Sequence, residues 1–236
     1  MSQPIDVHLV QARMRDLGQT TVSQTISLFK GGIFALAAVV LLEIVTQPDG
    51  RLMMLMLWTA SFCLALTSYN AWLNATVIDF RESVGGVVLI IAQMMAELML
   101  FATLTPRFAE QAWRSWAMVY GVFMAVTAGR VLFFPMNRNV AIDVGLRPML
   151  DALKTGSREA AWHLLASGVL AGIFAAPILL LPKDSPWPQW LTMAFSVFVA
   201  AMSLLGLVAM HSERVQMEQL LRDALDAEET KLSAQP

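Results

Sequence analysis

The chain has 236 residues, of which 57% are hydrophobic and only 14% are charged, and its net charge is −2. A water-soluble domain of this length carries far more polar surface, so the composition excludes one. The weakly negative charge gives no support for a nucleic-acid partner, and a single cysteine excludes a disulfide within the chain.

An amphipathic segment, residues 1–25, comes first along the chain. Its apolar residues recur at steps of three and four, which places them on one face of a helix. They are Val7, Val10, Met14 and Leu17. We expect this face either to lie on the inner leaflet of the membrane or to pack against another subunit.

Apolar runs long enough to cross a membrane fill residues 26–210. A hydrocarbon core of about 30 Å requires about 20 residues of helix, and backbone polar groups in lipid must be satisfied within the helix. The sequence predicts six transmembrane helices, at residues 26–46, 52–76, 84–105, 113–135, 160–181 and 188–210. It therefore predicts an all-α polytopic membrane protein whose longest connector is a cytoplasmic loop, residues 136–158.

Residues 211–236 follow as a charged cytoplasmic helix and tail. The three-and-four spacing returns in Met217, Leu220, Ala224 and Ala227. This repeat is too short to specify a coiled coil, and a solvated extension of the last transmembrane helix is the simpler interpretation. Most lysines and arginines outside the spans fall on the side of the two termini, Arg13, Arg15, Arg214 and Arg222 among them. This bias predicts cytoplasmic termini and a multi-pass protein of the bacterial cytoplasmic (inner) membrane.

No catalytic set is visible in the sequence. The three histidines have no carboxylate or cysteine at the spacing that would complete a metal site. The glycine pairs lack the lysine–serine pattern of a phosphate-binding loop. We therefore expect no enzyme activity, no cofactor and no metal. Hydroxyl groups of the second span, such as those of Ser61, Thr67 and Ser68, can bond their own helix backbone and require no ligand.

Charged residues inside the spans are a stronger signal, because each costs about 2.5–3.5 kcal/mol at the centre of a bilayer. Lys30 and Arg130 are predicted near the cytoplasmic ends, where long side chains snorkel to the interface. Glu43 is predicted near the outer end of the first span. Glu97 lies deep in the third span, one turn after Gln93. This intramembrane acid either holds the bundle together by an interhelical hydrogen bond or acts on an ion or proton.

The first span carries a family resemblance. Residues 29–44, FKGGIFALAAVVLLEI, resemble the first helix of bacterial members of the endolysosomal potassium channel family (transmembrane protein 175 type). In that family an Arg-x-x-x-Phe-Ser-Asp-Gly motif leads into a run such as VFAIAITLLVLEI. The matching positions are Phe29, Gly32, Phe34, Ala35, Leu36 and Ala37. The resemblance is remote and the motif degenerate, because its arginine, serine and aspartate correspond here to Thr25, Lys30 and Gly31.

The resemblance implies an oligomeric channel-like protein, tetrameric in the bacterial form, that conducts potassium or other monovalent cations through a pore lined by helix one. By register from Phe29, the pore-lining residues would be Leu36, Val39, Val40, Glu43 and Lys30. Leu36 would form an aliphatic constriction that gates by dewetting. Lys30 would add a ring of positive charge at the cytoplasmic mouth, and Glu97 would tune the electrostatics.

A non-conducting membrane anchor or sensor subunit is the alternative. The amphipathic N-terminal segment and the charged C-terminal helix favour it, and residues 212–236 are then the predicted docking site for a cytoplasmic protein partner. A proton-coupled transporter built around Glu97 is a third option, although nothing in the sequence supplies a substrate site.

Overall fold

The computed structural model describes residues 7–46, 51–77, 84–105, 112–133, 166, 169 and 187–233. The helices in these ranges are α1 (Val7–Thr46), α2 (Arg51–Val77), α3 (Val84–Ala102), α4 (Ala112–Phe133) and α5 (Trp187–Ser233). No strand occurs within the ranges described, so the all-α fold class is confirmed for them.

Four stretches of these helices are long and apolar enough to cross a membrane: Ser23–Thr46, Arg51–Leu73, Gly85–Ala102 and Trp187–Ala209. They coincide with four of the predicted spans, and by length and composition they make the chain a multi-pass membrane protein. The helix α4 coincides with the predicted span 113–135 but is not among the four. The predicted span 160–181 and the loop 136–158 lie outside the described residues, apart from Ala166 and Val169. The count of six spans therefore stays a prediction.

The first and last helices are longer than a membrane requires. α1 has 40 residues and α5 has 47, which is about 60 Å and about 70 Å of helix at about 1.5 Å per residue. Neither helix breaks where its apolar part begins or ends, because no proline lies in α1 and the only proline of α5 is Pro188, in the first turn, where proline is tolerated. Residues 7–22 are termed the N-terminal extension and residues 210–233 the C-terminal extension.

α2 lies at the centre of the described bundle. It contacts α1, α3, α4 and α5, and these neighbours contact one another in the order α1 with α3, α3 with α4, and α4 with α5. α1 and α5 make no comparable contact. Among the described helices, the ring around α2 is therefore open between the first helix and the last.

Side-chain contacts show that α1 runs antiparallel to α2. Lys30 contacts Ser68, whereas the indole N–H of Trp58 donates to the carbonyl oxygen of Ala37 at 2.8 Å. Residue numbers thus rise along α1 as they fall along α2. The N-terminal extension consequently leaves the bundle at the end where α2 finishes.

Side-chain contacts show that α5, unlike α1, runs in the same direction as α2. Trp116 donates to Ser61 at 2.8 Å and lies edge-on to Phe195, so Phe195 is near the level of Ser61. Further along both helices, Thr67 donates to the carbonyl oxygen of Ser203 at 3.1 Å. α5 is therefore parallel to α2, and the C-terminal extension leaves the bundle at the same end as the N-terminal extension. That this end is cytoplasmic stays a prediction.

Candidate functional site

A charged pair lies inside the bundle, between α1 and α3. The Nζ of Lys30 donates a hydrogen bond to the Oε2 of Glu97, and the two groups form a salt bridge. The exposed fractions of the two side chains are 4% and 1%. Each charge alone would be costly within a bilayer, and direct contact between opposite charges offsets part of that cost.

Ser68 of α2 and Gln93 of α3 complete this network. The hydroxyl oxygen of Ser68 accepts a hydrogen bond from Lys30 and donates one to the Oε1 of Glu97. Gln93, one turn before Glu97, hydrogen-bonds the same carboxylate. Both carboxylate oxygens therefore have donors, and three helices meet at one polar centre.

The register of α1 directs Lys30 toward this centre. The buried positions of the helix follow steps of four and three: Ile26, Lys30, Ile33, Ala37, Val40 and Ile44. Such spacing keeps side chains on one face of a helix. The other buried positions along this face are aliphatic. Rotating α1 until the ammonium group of Lys30 pointed outward would also expose Ile33 and Val40.

The snorkelling predicted for Lys30 is therefore wrong. Its ammonium group turns into the bundle because a carboxylate and a hydroxyl lie there at its own level. The role of Lys30 at a pore mouth stays a prediction, with the addition that Glu97 compensates the lysine charge within the same chain. Of the two interpretations offered for Glu97, the structure shows the interhelical hydrogen bond.

Arg130, in the last turn of α4, adds a second positive charge near the pair. It is half-buried, and it lies close enough to Lys30 to interact with it electrostatically. The predicted snorkelling of Arg130 stays a prediction.

The five predicted pore-lining residues do not share one face of α1. Lys30 and Val40 lie on the buried face, with Val40 0% exposed. Leu36 and Glu43 are half-buried, and Val39, 53% exposed, points away from the bundle. A pore formed around α1 would be lined by the exposed face, so Val39 fits such a position better than Val40 does. The pore-lining roles themselves stay predictions.

The exposed face of α1 is apolar and includes several small residues. Its members within the membrane are Leu28, Gly31, Gly32, Ala35, Val39 and Leu42. A Cβ atom added at Gly31 or at Gly32 would meet nothing within 4 Å. Packing inside the protomer therefore does not require glycine at either position.

The site offers little to a metal ion. No group of three or more histidine, cysteine, aspartate or glutamate side chains that could hold one occurs in the part of the chain that the structure describes. The oxygens of Glu97 already accept hydrogen bonds, and a neighbouring ammonium repels a cation. The arrangement instead suits an ion pair with hydrogen bonds that hold α1, α2 and α3 together.

Sequence reasoning identified Glu97 and Gln93 but not the role of Ser68. Hydroxyls of the second span do bond their own backbone, as expected, since Ser61 donates to the carbonyl oxygen of Leu57 at 2.9 Å. Ser68 differs because antiparallel packing sets it opposite Lys30. The available signal was its place near the C-terminal end of the second span, since the start of the first span lies at that level when consecutive helices are antiparallel.

No protein-family model, no curated protein and no solved structure matches this chain. The resemblance of residues 29–44 to the endolysosomal potassium channel family accordingly remains a prediction, and the function rests on geometry and chemistry alone.

Proposed function

We propose that the chain is a non-conducting, multi-pass anchor of the bacterial inner membrane that presents helical extensions to a cytoplasmic protein. The observation that carries the proposal is the course of α1 and α5, which continue unbroken beyond the bundle and leave it at the same end. The extensions of about 16 and about 24 residues correspond to about 24 Å and about 36 Å of helix, far more than a turn capping a span.

The buried ion pair supports an anchoring role. It joins α1 to α2 and α3 through charged hydrogen bonds, so the long first helix is held in one rotation and at one height. It also withdraws Lys30 from the surface of α1, where an ion would have to pass. A rigid bundle is what a platform for a partner requires.

The C-terminal extension is acidic, which suits a docking site for a partner with a basic surface. Its acidic residues, Glu213, Glu218, Asp223, Asp226, Glu228 and Glu229, outnumber its basic residues, Arg214, Arg222 and Lys231. The side chains described near its start, His211, Ser212, Val215 and Gln219, are exposed. An acidic helix of this kind favours a partner with a basic surface, held in a salt-dependent manner.

The test is affinity purification from native membranes of the full chain and of a chain lacking residues 212–236. We expect a cytoplasmic protein to co-purify with the full chain and not with the shortened one. Glu228→Lys together with Glu229→Lys is expected to abolish the association, whereas the matched control Lys231→Arg retains it. An unchanged set of partners after truncation would refute the proposal.

An oligomeric cation channel is the second candidate, and the exposed face of α1 favours it. This face is apolar, carries Gly31 and Gly32 without a packing reason inside the protomer, and is not covered by another described helix. Four copies gathered around an axis would bring such faces together. Leu36→Ala is then expected to raise potassium flux into liposomes. Background flux for both wild type and Leu36→Ala, or particle images with α1 on the rim, would exclude the channel.

A further inference from the structure

The N-terminal extension does not lie flat on the membrane. α1 is one continuous helix from Val7 to Thr46, and its second part, from Ser23, crosses the bilayer. A helix in the interfacial plane would need a sharp bend near residue 22, and sharp bends arise at proline, at glycine–serine pairs or at bulges, none of which occurs there. Of the two fates predicted for the amphipathic segment, packing against another subunit remains.

The apolar stripes of the two extensions have the same spacing. Outward from the membrane, the N-terminal stripe consists of Leu17, Met14, Val10 and Val7, and the C-terminal stripe of Met217, Leu220, Ala224 and Ala227. Both proceed in steps of three, four and three. Heptad-like spacing of this kind is what two packed helices share.

The two stripes also lie at the same height. Lys30 is level with Ser68, and Ser203 is level with Thr67. Leu17 precedes Lys30 by about 13 residues and Met217 follows Ser203 by about 14, which places both about 20 Å beyond that level at about 1.5 Å per residue. Because the steps are identical, the three outer pairs are level as well.

The charges beside the stripes are complementary. Within the N-terminal extension, Arg13 and Arg15 outnumber Asp16, whereas the C-terminal extension is acidic. Arg13 directly precedes the stripe residue Met14, and Asp223 directly precedes Ala224. In an antiparallel pair, such flanking positions face each other and form interhelical salt bridges.

Within the described bundle, the two helices that carry the stripes are held apart. α2 lies between α1 and α5, which make no comparable contact with each other. Two helices separated by a third are about 16–20 Å apart, given about 8–10 Å between packed axes. A twofold axis along the membrane normal, however, brings the N-terminal extension of one copy against the C-terminal extension of another, twice, and keeps the two antiparallel.

We infer that two copies of this chain associate through their extensions, with the N-terminal stripe of each packed in four layers against the C-terminal stripe of the other. This inference goes beyond the anchoring function, because it uses the apolar stripes and leaves the outer acidic residues of the C-terminal extension free. A dimeric platform would present two such acidic surfaces side by side.

Disulfide trapping between two differently tagged chains tests the inference. Both chains carry Cys63→Ser, which removes the single cysteine; one also carries Leu17→Cys and the other Met217→Cys. After co-expression and mild oxidation in native membranes, we expect a disulfide-linked dimer that contains both tags. The matched control is Gln19→Cys with Gln219→Cys, each two residues further along and on the far side of its helix, and it is expected to give no such dimer.

A charge exchange provides the second measurement. Arg13→Glu in both chains is expected to reduce the yield of the Leu17–Met217 cross-link, and adding Asp223→Arg is expected to restore it. Absence of the stripe cross-link, or equal cross-linking of the control pair, would overturn the inference. Loss of the cross-link with retained capture of a cytoplasmic partner would refute dimerisation and leave the anchoring function intact.

Discussion

Replacing Lys30 with methionine would remove the ammonium group and leave the carboxylate of Glu97 buried without its charged partner. Methionine preserves most of the length and volume of lysine, so the change isolates the charge. Breaking a buried ion pair by removing one partner typically destabilises a protein by about 3–5 kcal/mol. We expect Lys30→Met to fall in this range, because the partner carboxylate is 1% exposed.

The double substitution Lys30→Met with Glu97→Leu decides whether the pair itself is responsible. Removing both charges also removes the desolvation penalty, and such replacements are often neutral or stabilising. The double variant should therefore be more stable than Lys30→Met alone, which corresponds to a favourable coupling energy between the two positions. Ser68→Ala is expected to cost less, about 1.5–3 kcal/mol, which is the contribution of a hydrogen bond to a charged group.

Denaturant-induced unfolding in detergent micelles, followed by tryptophan fluorescence, measures these differences, since Trp58, Trp72 and Trp116 lie in or against the core. The matched control is Val39→Met, on the exposed face of the same helix. Single variants at Lys30 and Glu97 that each cost less than about 1 kcal/mol, or whose effects simply add, would refute the ion pair as a stabilising contact.

Three further outcomes follow from the packing of α1 and α2. Ile33→Ala, at a position that is 0% exposed, should cost about 2–5 kcal/mol, whereas Val39→Ala on the opposite face should stay within about 0.5 kcal/mol, both measured by the same unfolding assay. Trp58→Phe removes the indole donor to Ala37 and should cost about 0.5–1.5 kcal/mol by that assay; a cost near zero would contradict the hydrogen bond. Cys63, which is buried, should react with a soluble maleimide only after unfolding, so rapid labelling of native protein would contradict its position.

The extent of the four apolar spans among the described helices could be predicted from the sequence, because a membrane span is defined by apolar length. The rotation of each helix could not be predicted in this way. Between Ile33 and Leu42, α1 is apolar on all sides, so the buried positions Ile33 and Val40 are not distinguished from the exposed positions Val39 and Leu42 by residue type. In a soluble protein the outer face would be polar and the pattern visible; in lipid both faces are apolar.

The same difficulty explains the outcome for Lys30. Its distance from the start of the span indicated snorkelling, but its partner depends on which face of α1 meets α3 and on the height at which the helices cross. Sequence register from Phe29 assigned Val39 and Val40 together to a pore, although adjacent residues on a helix point about 100° apart. The boundary predicted at residue 25 marks a change in composition only, since nothing there interrupts the hydrogen-bonded helix.

α5 is one unbroken helix, so its membrane-spanning part and its C-terminal extension move together. The orientation of its membrane-spanning part depends on α2 and on the bilayer, and the C-terminal extension follows any change in that orientation. A tilt of about 10° would displace the tip of a segment about 36 Å long by about 6 Å. Helices tilt to match the thickness of the surrounding lipid. A change in bilayer thickness would therefore move the end of the C-terminal extension sideways, and the position of this end would depend on the thickness of the membrane.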